Sequence, residues 1–109
     1  MEFYVNGNLW QIVYVRSEHP IFMRKDGTYT IGVCNNNNKT IFLNENLKNG
    51  MLKKVLIHEI AHAFMFEYHV DLSVAEEEVI CDLIATYGED IVSVSDDVFG
   101  RLQKIRSAF

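Results

Sequence analysis

Within Val55 to Phe66, three polar side chains interrupt an otherwise apolar run: His58, Glu59 and His62. Two histidines four apart leave the same face of an α-helix, one turn from each other. Their ring nitrogens can then converge on one tetrahedral metal ion at about 2.0–2.1 Å. Glu59 projects about 100° further round the axis, badly placed to be a third ligand but able to reach a water on such an ion. The apolar members of the window, from Val55 through Ile60 and Ala63 to Phe66, point in every direction, the pattern of a buried helix. Three polar groups buried without partners would cost on the order of 1–3 kcal/mol each. A shared cation is one compensation. The plain alternative is a helical core whose histidines satisfy core hydrogen bonds and hold no metal.

The spacing His58-Glu59-Ile60-Ala61-His62 is that of the HExxH motif of zinc peptidases, two ligands and a general base on one turn of helix. A catalytic zinc usually takes three protein ligands and keeps one position open. Downstream, Glu67 lies nearly opposite the histidine face, His69 falls at a helix C-terminus where the helix dipole explains it, and Asp71 falls in a turn. Glu76 has the spacing of a capping box with Ser73, and Glu77 is expected to face solvent. Glu78 and Asp82 remain, four apart on one helical face, in the company of the small residues Ala75, Cys81 and Ala85. Small residues permit close helix–helix approach, so this helix is expected to be buried on both sides, with Glu78 as the third ligand. Asp82 is the expected carboxylate that accepts the second ring N–H of a metal-bound histidine. A surface helix with an acidic outer face would read the same way, because Val79, Ile80, Leu83, Ile84 and Tyr87 centre almost opposite this pair.

The elements that must position these residues follow from the patterning. Phe3-Tyr4-Val5 and Leu9 to Val15 read as a hairpin around Asn6-Gly7-Asn8. Ser17 to Gly27 reads as a loop with a short extended piece at Ile21-Phe22-Met23. Tyr29 to Cys34 and Thr40 to Leu43 read as a second hairpin, its asparagine-rich connection a turn and not a binding motif. From about Asn46 the period becomes helical: one helix to about Tyr68, a second from Ser73 to near Gly88, a third over about Asp96 to Arg106. Strands first and helices after them predict one α+β domain over residues 1–109, a small N-terminal antiparallel sheet followed by a helical part around the buried central helix.

Composition bounds the function. A length of 109 residues fits one domain whose core needs no staples. Two cysteines, Cys34 and Cys81, stand far apart in no CxxC pattern, which fits a reducing cytoplasm. The net charge of −5 with no basic cluster argues against direct nucleic-acid binding. No apolar run approaches a membrane span, and the N-terminus lacks a signal segment, so secretion is not indicated. Oligomeric state is not legible.

With HExxH followed by Glu78-Val79-Ile80-Cys81-Asp82, the chain resembles a gluzincin, the zinc-peptidase group with a downstream ExxxD. More closely, over roughly Tyr29 to Asp90, it resembles the short ImmA/IrrE-like metallopeptidases of phages and mobile elements. Cys81 and Asp82 stand where that group has Ala and Asn. The resemblance implies a minimal zincin-like fold, Zn²⁺ held by His58, His62 and Glu78, and Glu59 as catalytic base. It also implies peptide-bond hydrolysis of a protein or peptide substrate, with a repressor-type regulatory protein as the family's kind of target. Tyr68, His69, Tyr87 and His19 are the side chains available as oxyanion donors, and one strand of the second hairpin is expected at a sheet edge beside the cleft. The reading from a different class is a zinc-stabilised binding or regulatory module without turnover.

Overall fold

Asn6 and Gly7 carry the left-handed backbone (φ 50° and 78°) that a two-residue hairpin turn needs. Around them β1 (Glu2–Val5) and β2 (Asn8–Val15) pair antiparallel. The second hairpin joins β3 (Gly32–Asn35) to β4 (Thr40–Asn44), also antiparallel. In its connection the Asn35 side chain accepts the Asn37 N–H at 2.9 Å, while the positive φ falls on Lys39 and not on an asparagine. The asparagine cluster is therefore turn chemistry, as expected. This computed structural model describes residues 1–107.

The sheet order is β1-β2-β4-β3, and the central pair β2–β4 is parallel. The sheet is thus mixed and not antiparallel throughout. The long connection after β2 carries the chain across before the second hairpin returns it, which leaves β4 running beside β2 in the same direction. Within that connection Pro20–Phe22 forms a 3₁₀ turn instead of the expected extended piece; the His19 ring accepts the Ile21 N–H at 3.1 Å, and Phe22 is fully buried as its anchor.

Two helices complete the fold, α1 (Asn49–Glu67) and α2 (Val74–Ser107). At the start of α2 the Ser73 hydroxyl accepts the Glu76 N–H at 3.2 Å and the Glu76 carboxylate accepts the Ser73 N–H at 3.1 Å, the reciprocal capping box. The separate second and third helices read from the sequence are one continuous helix. No proline intervenes, and Gly88 costs only about 1 kcal/mol relative to Ala inside a helix. Ser95, which could have capped a new helix, donates back to the Ile91 carbonyl at 2.7 Å. No described helix is long and apolar enough to cross a membrane.

The sheet packs on α1 around Val5, Trp10, Ile41, Leu43, Val55 and Ala63, and α1 meets α2 at a smaller cluster of Ala61, Met65 and Cys81. Two expectations of burial need correction. The third side of α1 is open, where Phe64 and Tyr68 stack on each other at 5.9 Å and are about half exposed. The far face of α2 is also open: Val79 is 67% exposed and Leu83 51%. Both follow from the layering, since the sheet covers α1 from one side only and no described element lies beyond α2.

Glu67 ties the end of α1 to both hairpin turns. Its buried carboxylate receives the Lys39 ammonium at 2.8 Å, the Trp10 indole N–H at 2.9 Å and the Asn8 amide, while Asn6 donates to its backbone carbonyl. The Lys39 and Trp10 bonds, foremost that from Lys39, hold its pKa below the ordinary value against the opposing effect of burial. A depressed folded-state pKa means stabilisation that is full above the unfolded-state value and lost as pH falls through the folded one. Glu67→Gln is therefore expected to lower the Tm at pH 7, with the gap to the parent narrowing below about pH 4 in thermal melts across pH.

Candidate metal centre

The middle of α1 presents His58 and His62 toward α2 with their Nε2 atoms 3.1 Å apart and rings nearly edge to face. Close approach is possible because α2 offers Cys81, fully buried, against Ala61 and Met65 of α1. That contact brings the carboxylates of α2 onto the imidazoles. Glu78 reaches His62 Nε2 at 2.8 Å with one oxygen and His58 Nε2 at 3.4 Å with the other. Asp82 sits 2.9 Å from His58 Nδ1, on the ring nitrogen that faces away from the shared point.

His58, His62 and Glu78 each offer a donor atom, all within 4.8 Å of one another, and together could hold a metal ion. Donors around a tetrahedral zinc with bonds near 2.05 Å stand about 3.4 Å apart. The 3.1 Å between the two imidazole nitrogens lies close to that value, and Glu78 reaches them with a different oxygen each, at 2.8 Å to His62 and 3.4 Å to His58. The electrostatics agree with a cation: four carboxylates, Glu59, Glu77, Glu78 and Asp82, lie within 4 Å of the two imidazoles. The donor set, borderline nitrogens and a hard carboxylate oxygen, suits zinc.

Glu59 is buried, with its Oε1 3.9 Å from His58 Nε2. Desolvation raises its pKa to about 7; His62 pulls it down and Glu78 pushes it up. Gly32 of β3 fixes how closely the sheet approaches this residue. A Cβ there would stand 2.8 Å from Val55 Cγ1 and 3.2 Å from Glu59 Cγ, so any larger residue would force these side chains, or β3 itself, to shift. Being last in the sheet order, β3 is an edge strand, and Gly32, Val33 and Cys34 line a cleft of about 760 Å³ that contains His58, Glu59, His62 and Glu78. The second hairpin thus supplies the edge expected beside the site.

Other placements differ from expectation. Glu77 does not face solvent: its side chain is largely covered and its Oε1 lies 3.5 Å from His62 Nδ1, so each histidine has an acidic neighbour on its outer nitrogen. The available signal was its position four residues before the buried Cys81, on the same face of α2. Tyr68, His69, Tyr87 and His19 do not line the cleft; its basic side chains are Arg24, from the long loop, and Lys54, neither singled out from the sequence. Both cysteines are free thiols. Burial first, and nearby carboxylates second, push Cys81 up to about 12 and Cys34 higher still, so neither is a ready thiolate ligand at neutral pH.

A family model described as SprT-like matches residues 4–75. The matched span takes in the sheet from the middle of β1 onward, the whole of α1 and the first residues of α2, and stops three residues before Glu78. The comparisons with curated proteins and with solved structures gave no match. The ImmA/IrrE-like resemblance drawn from the two motifs is not part of these findings.

If the triad holds zinc, His58→Ala and Glu78→Ala should abolish tight binding in a competition titration. Asp82→Asn should weaken it by about 10- to 100-fold, the usual effect of losing the carboxylate that orients a liganding histidine.

Proposed function

The chain belongs to the SprT-like family, a zinc-metallopeptidase-like family, and on that premise we propose that it is a zinc-dependent endopeptidase cleaving an extended segment of a protein substrate. The observation that carries this reading is the convergence of His58 Nε2, His62 Nε2 and the Glu78 carboxylate at a cleft wall that also holds the buried Glu59. Zinc held by those three side chains would supply Lewis acidity toward a scissile carbonyl and acidify water in the cleft. The protein's own residues do the rest. Glu59 takes a proton from the attacking water on its carboxylate and returns it to the departing amine. Asp82 and Glu77, on the outer nitrogens, hold the His58 and His62 rings in the orientation that turns both Nε2 atoms inward. Arg24 and Lys54 are the charged donors that line the cleft, and they are the candidates to meet a carbonyl oxygen that gains negative charge.

The substrate enters, on this reading, as an added strand. β3 has one neighbour, β4, and its free edge borders the cleft, so an extended peptide can take backbone hydrogen bonds from it. A repressor-type regulatory protein as the target, and a phage or mobile-element setting, rest on the ImmA/IrrE-like resemblance of Glu78-x-x-Cys81-Asp82. A cytoplasmic setting rests on the two unpaired thiols.

Glu59→Gln separates an enzyme from a metal-stabilised binding module. The expected result is one zinc per chain retained and cleavage of an unfolded protein such as casein slowed by about 10²- to 10⁴-fold. Equal turnover in both forms would contradict the assignment of Glu59, and zinc binding with no cleavage by the parent would favour the binding module. Binding of a peptide to the Glu59→Gln form should slow amide hydrogen exchange across Gly32–Asn35; unchanged exchange there would exclude strand addition.

A further inference from the structure

The second half of α2 leaves the body of the molecule. The Cα radius of gyration is 17.2 Å and the longest extent 61 Å, against about 13 Å for the radius of a compact chain of this length. The helix that projects is not a polar one. Ile84, Ile91, Val98 and Ile105 recur at intervals of seven, and Tyr87 and Val94 follow the first two at three, so apolar side chains repeat every 3.5 residues along one face. Each of these six is between 37% and 63% exposed. Because α2 is continuous, this seam cannot turn back onto its own domain.

We propose that the seam is a homodimer interface, in which α2 pairs antiparallel with α2 of a second copy. Charge selects both the occupant and the direction. Beyond Glu89, which pairs with Lys53 of α1 at 3.0 Å, the projecting half carries the acidic Asp90, Asp96 and Asp97, followed by the basic Arg101, Lys104 and Arg106. A parallel pair would set the two basic blocks side by side and bring Arg101, which occupies the next seam position after Val94, against its own copy. An antiparallel pair sets the basic end of each helix beside the acidic block of the other. In the register that places Val94 against Val98 of the second copy, Asp90 meets Lys104 of the second copy on the flank, once at each end, while at the centre Asp97 meets Asp97 of the second copy, each of the two held by Arg101 of its own helix at 3.1 Å.

Area supports the same occupant. A stable interface takes roughly 800 Å² from each partner. The six seam side chains, with Leu102 beside them at 52% exposure, offer an apolar strip approaching that scale. At Ile84 the strip runs into an apolar hollow of about 500 Å³ between α1 and α2, lined also by Ile57, Phe64 and Tyr68, so the surface continues onto the domain. Glu78 and Asp82 face His58, and pairing along the seam leaves the cleft open.

Sedimentation velocity of the whole chain, with circular dichroism to verify helix content, tests this. The expected result is twice the chain mass for the parent and a helical monomer for Ile91→Asp/Val98→Asp. Asp90→Lys, which sets like charges opposite each other, should weaken association by about tenfold, equivalent to 1.4 kcal/mol. Asp90→Lys/Lys104→Asp should restore it. A parent that stays monomeric at about 100 µM overturns the proposal. So does a dimer that survives Ile91→Asp/Val98→Asp, and failure of the charge exchange to restore pairing overturns the antiparallel register.

Discussion

The contact between α1 and α2 at Ala61, Met65 and Cys81 sets the distance on which the metal centre depends. The small side chains of Ala61 and Cys81 at that level let the helices approach until carboxylates from one reach imidazoles on the other at 2.8–3.5 Å. A larger residue at Cys81, which has no exposed surface, would push α2 outward. Glu78 would then lose one histidine or the other. On the opposite side of α1, Gly32 plays the matching part, bringing the sheet edge against Val55 and Glu59. The central helix is thus held between two close approaches, each made by a residue chosen for what it lacks.

The far end of α1 is held by polar contacts instead. Glu67 joins Lys39, Trp10, Asn8 and, through its backbone, Asn6, so both hairpin turns are referenced to the last turn of the same helix. The sheet edge at β3 and the histidines on α1 therefore belong to one frame, which is what a cleft built from both requires. Preorganisation of this kind matters because a catalytic group misplaced by about 1 Å can lose two orders of magnitude in rate.

Much of this was legible in the residues. The i, i+4 spacing of His58 and His62 dictates a shared face whatever the rest of the fold, and the Glu78/Asp82 pair with small neighbours pointed to α2 as the partner. The structure places both acids against His58. The parallel pairing of β2 with β4 was not legible, because a long connection separates the hairpins and local pattern carries no information across it. The continuity of α2 is not legible because Gly88 reads as a stop, whereas a lone glycine without a following proline costs too little to end a helix. The wheel of an isolated helix turns Glu77 to solvent; packing against α1 covers it. The same packing, one-sided, leaves Val79 and Leu83 in solvent where a helix buried on both sides had been expected.

The account stands on one coordination set, two histidine nitrogens and the Glu78 carboxylate around a single ion. Zinc-edge X-ray absorption on the chain loaded with one equivalent of zinc reads that set directly. The prediction is two imidazole shells and light oxygen scatterers at about 2.0–2.1 Å, with no sulfur. A sulfur shell near 2.3 Å, or a spectrum unchanged by His62→Ala, would show that zinc sits elsewhere and would contradict the account.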